Sequence, residues 1–171
     1  FAPDFLKISP SNKIPAIIDT DNGISVFESG AILMYLAEKA GKFYPQDFTA
    51  RTMVNEWLMW QMGNFGPMLG RAHYFLFYNP GKAPFAEDWF AAEAKRLYTV
   101  LDTLLEKSEF MAGEYSIADI ATFPWAARHE RQRIDLNDYP HVRRWYLAIA
   151  ARPAVPKGFA VPGGNIIPMP K

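Results

Sequence analysis

The sequence contains no cysteine among its 171 residues. A disulfide framework, a cysteine-bound zinc ion and a protein thiol nucleophile are therefore all excluded. Any sulfur chemistry at this protein must use sulfur atoms that a ligand brings.

The sequence also lacks an excess of charge, because 18 basic and 18 acidic residues cancel. A nucleic-acid-binding face or an anionic-membrane face would need a surplus of basic residues, so we expect neither partner. No apolar run approaches the length of a membrane span, and no charged-then-apolar leader opens the chain. We expect a cytoplasmic protein on these grounds.

What the sequence does have is apolar and aromatic material. Half of the residues are hydrophobic and 15% are aromatic. This composition excludes disorder for most of the chain. The length suits one good core, or a small unit packed on a larger one.

A short hairpin followed by a helix organises the N-terminal part of the chain. Residues 16–18 and 24–27 are apolar, β-branched runs joined by an Asp-Asn-Gly turn, which predicts a β-hairpin. Helical spacing of apolar residues follows directly, with Ser29 in position to cap the helix and Gly41 in position to end it.

Two places in this unit can bind a ligand. If the Ile14–Pro15 bond is cis, the Ile14 backbone groups turn outward and can pair with an extended peptide. An ordinary trans proline at a strand entry is the alternative, and only about 5–6% of X-Pro bonds are cis. Glu28 and Ser29 can hold an amino acid by its ammonium and carboxylate ends at the helix start. The alternative there is a simple serine cap with an acidic neighbour.

Together these residues resemble a known family. The run Asn-Lys-Ile-Pro-Ala-Ile at 12–17 and the run Phe-Glu-Ser-Gly-Ala-Ile at 27–32 are similar to the glutathione-binding half of soluble glutathione transferases. The resemblance implies a thioredoxin-like domain, a cis Pro15, a backbone contact from Ile14 to the cysteinyl part of glutathione, and a γ-glutamyl site at the Glu-Ser pair. The glutathione-binding residues it predicts are Lys13, Ile14, Pro15, Glu28 and Ser29.

The resemblance also predicts the architecture. We expect an α/β plus all-α fold, with the C-terminal part of a thioredoxin-like domain at 1–43, a helical substrate and dimer domain at 44–155, and an extended tail rich in proline and glycine at 156–171. Family members have a strand, a helix and another strand before the position of Phe1. The residue that activates the glutathione thiol is therefore expected upstream of Phe1, and no catalytic residue is assigned within the sequence.

The helical part begins with a long, aromatic-rich helix, predicted from residue 50 to about residue 77. Glycines and Pro67 interrupt it at 63–67, where we expect a kink. After the kink, Arg71, His73 and Tyr74 are candidates for a second-substrate pocket. Histidine side chains titrate near neutral pH, so His73 is a candidate acid–base group. A solvated or locally bonded histidine is the commoner case. No second histidine lies at a spacing suited to a shared metal ion. No metal is expected.

Three further helices are predicted beyond the long one. A helix is expected over 87–107, a capping box formed by Ser116 and Asp119 starts the next, and Pro140 starts the last.

Nu-class transferases, which this sequence most resembles, commonly have a glutamine in place of Arg71. That departure can change the choice of substrate.

The predicted function is glutathione-dependent. The protein would bind glutathione and activate its thiol for attack on an electrophile, a disulfide or a peroxide, as a transferase or a thiol–disulfide reductase. The nu-class similarity favours disulfide reduction, and the family implies a homodimer. The alternative is a non-catalytic transferase-like module for binding or dimerisation.

Overall fold

The computed structural model describes residues 3–170. Phe1 and Ala2, at the start of the first predicted domain, and Lys171, at the end of the predicted tail, lie outside the described residues. The described chain is a two-stranded hairpin with a helix on each side of it in sequence, followed by a helical bundle.

The N-terminal unit contains helix α1, two strands and helix α2. Their bounds are α1 Pro3–Ile8, β1 Ala16–Ile18, β2 Ser25–Phe27 and α2 Ser29–Ala40. The strands are antiparallel, with Ala16 opposite Phe27 and Ile18 opposite Ser25. The predicted hairpin is confirmed, although its second strand begins one residue later than expected.

The turn of the hairpin is fastened to helix α2 through Asp19. The Asp19 carboxylate, which is 9% exposed, accepts hydrogen bonds from the Asp21 backbone N–H at 2.9 Å, the Tyr35 hydroxyl and the Lys39 ammonium at 2.6 Å. Hydrogen bonds from Lys39 and Tyr35 lower the pKa of Asp19 to about 2. Gly41 ends α2 in the left-handed conformation, with φ 63°, as predicted.

The helical part contains six α-helices within residues 48–159. Their bounds are α3 Phe48–Trp60, α4 Gly66–Ala72, α5 Pro84–Lys107, α6 Ile117–Ala126, α7 Pro140–Ala150 and α8 Ala154–Phe159. Short 3₁₀ turns cover His129–Gln132 and Leu136–Asp138.

The predicted long helix is helical throughout, but two of its segments are π-helical. A π-helical segment, Gln61–Phe65, separates α3 from α4, and a second one, His73–Tyr78, follows α4. The α-helix is interrupted at the first of these segments, which ends directly before Gly66 and Pro67 at the start of α4. The second π-helical segment was not predicted.

The C-terminal tail differs from the prediction. Residues 156–159 belong to helix α8, so an extended tail from residue 156 is wrong for that stretch. The end of the chain then returns to the core, since Ile167 is buried and the Tyr146 hydroxyl donates to the Pro168 carbonyl. The proline and glycine content of this segment led to the prediction of an extended tail, whereas part of it is helical and its end packs against the core.

The core lies between α3, α4, α5, α6 and α7, and its largest members are completely buried. They include Leu58, Phe65, Leu69, Tyr98, Leu101, Trp145 and Tyr146. None of the helices within residues 3–170 is long and apolar enough to cross a membrane.

The start of α6 is the most heavily bonded helix start in this bundle. The predicted capping box is confirmed: the Ser116 hydroxyl accepts from the α6 backbone, and Asp119 accepts from the Ser116 N–H at 3.0 Å. Asp119 is fully buried and also accepts from the Met111 N–H at 3.0 Å and the Trp145 indole N–H at 2.8 Å. One carboxylate therefore joins α6, α7 and the preceding loop.

We predict that Asp119→Ala destabilises the protein by about 3 kcal/mol or more, because it leaves several buried N–H groups without an acceptor. The matched variant Ser116→Ala removes the capping hydroxyl together with its hydrogen bond to Asp119, keeps the Asp119 carboxylate, and should cost about 1 kcal/mol. Urea unfolding followed by circular dichroism measures both. A smaller loss for Asp119→Ala than for Ser116→Ala would contradict this account.

We also predict that acid weakens the protein through Asp19. An unfolded aspartate titrates near about 3.9, whereas folded Asp19 titrates near 2. As the pH falls from about 4 to about 2, unfolding takes up a proton at this residue, so stability is lost on acidification. Urea midpoints measured over this range should fall less steeply in Asp19→Asn. The solvent-facing control Asp4→Asn, whose side chain is 92% exposed, should keep the steep slope of the unmodified protein; equal slopes in both variants would refute the assignment.

Candidate functional site

The pairing of the hairpin brings the two predicted glutathione-binding segments to one place. Ala16 lies opposite Phe27 at the open end of the hairpin. Pro15 directly precedes the first of these residues, and Glu28 directly follows the second. Both segments therefore leave the hairpin at the same end, side by side.

The first segment presents an unused strip of backbone. The Ile14–Pro15 peptide bond is cis, and the Ile14 side chain is 84% exposed. Within residues 3–170, the Ile14 N–H and C=O have no hydrogen-bond partner. The backbone of the preceding residue, Lys13, is fixed by a hydrogen bond, because the buried Ser9 hydroxyl donates to the Lys13 carbonyl at 2.8 Å. The Lys13 side chain is left exposed beside the strip.

The second segment corrects the sequence prediction by one residue. Glu28, and not Ser29, is the N-cap of α2, and it makes no side-chain capping hydrogen bond. Glu28 has φ 69° and ψ 120°, a backbone conformation that residues with side chains rarely adopt. Strain of this kind is commonly retained where it positions a functional group. The Glu28 carboxylate is exposed and has no hydrogen-bond partner in the part of the chain that the structure describes.

The start of α2 offers several unused donors. The first hydrogen bond of the helix runs from the Ile32 N–H to the Glu28 carbonyl at 2.9 Å, so the N–H groups of residues 29–31 have no partner among the described residues. Among the described residues, the one hydrogen-bond partner of the Ser29 hydroxyl is the Met62 sulfur, at 3.7 Å. Free N–H groups and a hydroxyl at the positive end of a twelve-residue helix are suited to a carboxylate.

A groove of about 470 Å³ runs from Ser29 along the first π-helical segment and α4. Its lining residues are Ser29, Gln61, Met62, Gly66, Pro67, Gly70, Arg71, Tyr74 and Trp125. The predicted second-substrate residues Arg71 and Tyr74 therefore share a wall with the predicted glutathione-binding Ser29. Its size falls in the usual range for small-molecule sites.

His73 does not line this groove. It is only 8% exposed, and its Nε2 atom lies 3.2 Å from the Gln132 amide nitrogen and 3.4 Å from the Arg128 carbonyl oxygen. Burial lowers the pKa of His73. Of the two common readings, a locally bonded histidine is confirmed and a solvated one is wrong. The structure places His73 behind the groove, in contact with the Trp125 ring.

Gln61 and Trp125 were not identified from the sequence. Gln61 stood within an apolar helical pattern, and its position in the wall depends on the π-helical segment. Trp125 reaches α4 from α6, and its ring lies over Gly66 and Gly70, where a Cβ atom would come within 3.0 Å and 3.2 Å of the indole. The two glycines one turn apart were the available signal for a close approach at this helix.

A second cavity, of about 520 Å³, contains none of the predicted site residues. It lies between α6, α7 and α8, and its two arginines rest on aromatic rings: Arg152 on Tyr115 at 3.7 Å and Arg128 on Phe159 at 5.2 Å. Its charged groups are thus engaged within the protein. Over residues 3–170, no cluster of three or more acidic or histidine side chains could hold a metal ion.

Comparisons with known proteins match the two parts of the chain separately. The family model for the glutathione S-transferase N-terminal domain matches residues 1–38, and the model for the C-terminal domain matches residues 69–153. These matches confirm the predicted fold class, a short thioredoxin-like part followed by a helical domain.

Individual relatives match most of this chain. The disulfide-bond oxidoreductase YfcG of Escherichia coli strain K12 is 51% identical over 160 residues, covering 90% of this chain and 74% of that protein. The disulfide-bond oxidoreductase YghU of the same strain is 43% identical over 169 residues, covering 92% of this chain but only 58% of YghU. A glutathione transferase structure from Pseudomonas putida, with one glutathione disulfide bound per subunit, has a TM-score of 0.87 at 41% identity, over 95% of this chain and 75% of that one.

We predict that Glu28→Gly increases the free energy of unfolding by about 1 kcal/mol, because glycine adopts a positive φ at less cost. Glu28→Gln keeps the strain and should leave stability unchanged. Chemical denaturation of the two variants measures the difference. If Glu28→Gly is no more stable than Glu28→Gln, the positive φ is not a source of strain here.

Proposed function

Since this chain belongs to the glutathione S-transferase family, we propose that it binds glutathione at the open end of the hairpin and activates the thiol for attack on an electrophile, a disulfide or a peroxide. The observation that carries this proposal is the pairing of two unused binding surfaces. The free backbone strip at Ile14 and the free N–H groups at the start of α2 lie at the same end of one hairpin.

Each part of glutathione has a chemically matched partner in this arrangement. The γ-glutamyl carboxylate suits the Ser29 hydroxyl and the free N–H groups of residues 29–31, and its ammonium suits the exposed Glu28 carboxylate. The cysteinyl backbone suits the N–H and C=O of Ile14, as a strand edge receives a peptide. Lys13 adds a cation beside that edge, and Pro15 holds the turn that presents it.

The same surfaces favour the thiolate form of the bound cysteinyl group. The positive end of α2 and the exposed guanidinium of Arg71 both face the groove that begins at Ser29. A positive potential of this kind lowers the pKa of a thiol, and the thiolate is the nucleophile.

Disulfide reduction is the reaction that we propose, with conjugation as the alternative chemistry of the same site. The glutathione thiolate attacks the glutathione sulfur of a mixed disulfide, a new bond joins the two glutathione sulfurs, and the other thiol leaves as a thiolate that takes a proton from water. One glutathione disulfide and one reduced thiol result. A chain without cysteine can catalyse this exchange, because the attacking thiolate belongs to glutathione and the second glutathione sulfur is already part of the mixed disulfide. The names of YfcG and YghU, and the disulfide bound to the Pseudomonas putida protein, support this choice.

A homodimer and a cytoplasmic location complete the proposal. Apolar side chains on the outer face of α3 are exposed, including Phe48 at 84%, Met59 at 51% and Met53 at 43%. Such a surface suits a second copy of the chain better than it suits water. The alternative is a non-catalytic binding module, which would keep this apolar surface but would not catalyse a reaction of glutathione.

We predict that Ser29→Ala weakens glutathione binding at least tenfold, equal to about 1.4 kcal/mol, because it removes a hydrogen bond to the carboxylate of the ligand. The control Thr103→Ala removes a hydroxyl that donates within α5 and should leave affinity unchanged. Calorimetric titrations with glutathione and with glutathione disulfide measure both variants. Tight binding that survives in Ser29→Ala would reject the site, and no binding by the folded, unmodified protein would reject the enzyme.

A further inference from the structure

We propose that Met62 is an oxidation site and that its sulfoxide weakens glutathione binding by capturing the Ser29 hydroxyl. This inference rests on the proposed function, since it assigns a modification that regulates the same site. The absence of cysteine excludes a protein thiol but not the oxidation of a thioether, and the sequence has seven methionines. The expectation that sulfur chemistry must use a ligand's sulfur therefore covers thiols only.

The Met62 sulfur lies beside the hydroxyl that is proposed to bind the ligand. The Ser29 hydroxyl donates to the Met62 Sδ atom at 3.7 Å, which connects the start of α2 to the first π-helical segment. Among the described residues, no other methionine sulfur accepts a hydrogen bond from a predicted glutathione-binding residue. A thioether sulfur is a weak acceptor, so a ligand carboxylate can displace it from the Ser29 hydroxyl.

The Met62 side chain also packs on the backbone of the first turn of α2. A Cβ atom on Gly30 would stand 3.1 Å from the Met62 Cε atom, 3.2 Å from its Cγ atom and 3.4 Å from its sulfur. The N–H groups of residues 29–31 in this turn have no partner among the described residues. The sulfur is thus held close to the donors that are proposed to receive the carboxylate of the ligand.

Hydrogen peroxide is the oxidant in this proposal. It transfers one oxygen atom to the Met62 sulfur: the O–O bond breaks, the sulfur loses two electrons, and water leaves. Met62 is partly exposed and lines the groove that begins at Ser29, so a peroxide that enters the groove can reach it. The product carries a polar S–O group, whose oxygen is a much stronger acceptor than the thioether sulfur. This oxygen takes the Ser29 hydroxyl as its donor, and the ligand carboxylate loses that hydrogen bond.

The experiment compares glutathione binding before and after oxidation. The full chain is treated with hydrogen peroxide, the peroxide is removed by desalting, and peptide mass spectrometry gives the oxidised fraction of each methionine. Calorimetric titration then measures the Kd for glutathione, and the readout is the ratio of Kd after oxidation to Kd before it. We expect a ratio of about ten for the unmodified protein, the effect of one lost hydrogen bond to a charged group. Methionine sulfoxide reductases for both epimers should return the ratio to about one.

Three variants, each compared with itself before oxidation, assign the effect. Met62→Leu has no sulfur at this position and should give a ratio of about one. Ser29→Ala has no hydroxyl to capture, so oxidation should change its Kd by less than about twofold. Met59→Leu removes a methionine that is 51% exposed on α3 and does not line the groove, and it should keep the ratio of about ten. Melting temperatures establish that the oxidised proteins remain folded.

An unchanged Kd in protein whose Met62 is oxidised overturns the proposal. Equal losses of affinity in Ser29→Ala and in the unmodified protein also overturn it, because the effect would then not depend on the hydroxyl. So does a Met62 that resists peroxide while Met59 is oxidised.

If the reduced, folded protein does not bind glutathione, the proposed function fails instead. Amide spectra by nuclear magnetic resonance, recorded without glutathione, then test the capture by itself. Oxidation should shift the amide signals of Ser29 and Gly30 in the unmodified protein and leave them in place in Met62→Leu. Signals that do not move in the unmodified protein overturn the proposal.

Discussion

The buried carboxylate of Asp19 ties the hairpin to helix α2, and the proposed glutathione site depends on that connection. Two paired strands of three residues each have little stability by themselves in water. Hydrogen bonds from Tyr35 and Lys39, both on α2, fix the turn of the hairpin against the helix. Because β2 leads directly into α2, fixing one end of this unit also fixes the direction in which its open end presents Ile14 and Glu28.

The groove beside that open end depends on how α3 and α4 are joined. A π-helical turn adds a residue to the helical repeat, and such turns are often found at functional sites. Here the turn places Gln61 and Met62 opposite Ser29, and the glycines at 66 and 70 let the Trp125 ring lie against α4. The π-helical turn, together with the glycines at 66 and 70, thus brings residues from α2, α4 and α6 to one surface.

The parts of this structure that follow from local chemistry could be predicted from the sequence. An Asp-Asn-Gly turn gave the hairpin, Gly41 the end of α2, and the Ser116–Asp119 spacing the start of α6. The two glutathione-binding segments followed from the family resemblance. The rest depends on contacts between distant segments: the burial of His73, the approach of Trp125 to α4, and the return of the tail to Tyr146. The cap at Glu28 was misplaced because serine is the better cap, and the strained φ that overrides this preference has no signature in one sequence.

The proposed glutathione site is tested most directly by following the backbone amide signals of the protein by nuclear magnetic resonance as glutathione is added. The largest chemical-shift changes should occur at Ile14 and at the amides of Ser29, Gly30 and Ala31, which are the unused donors at the open end of the hairpin. Changes that are confined to another surface, such as the cavity between α6, α7 and α8, would contradict it, and so would a saturating titration that leaves the amides of Ile14 and Ser29 unmoved.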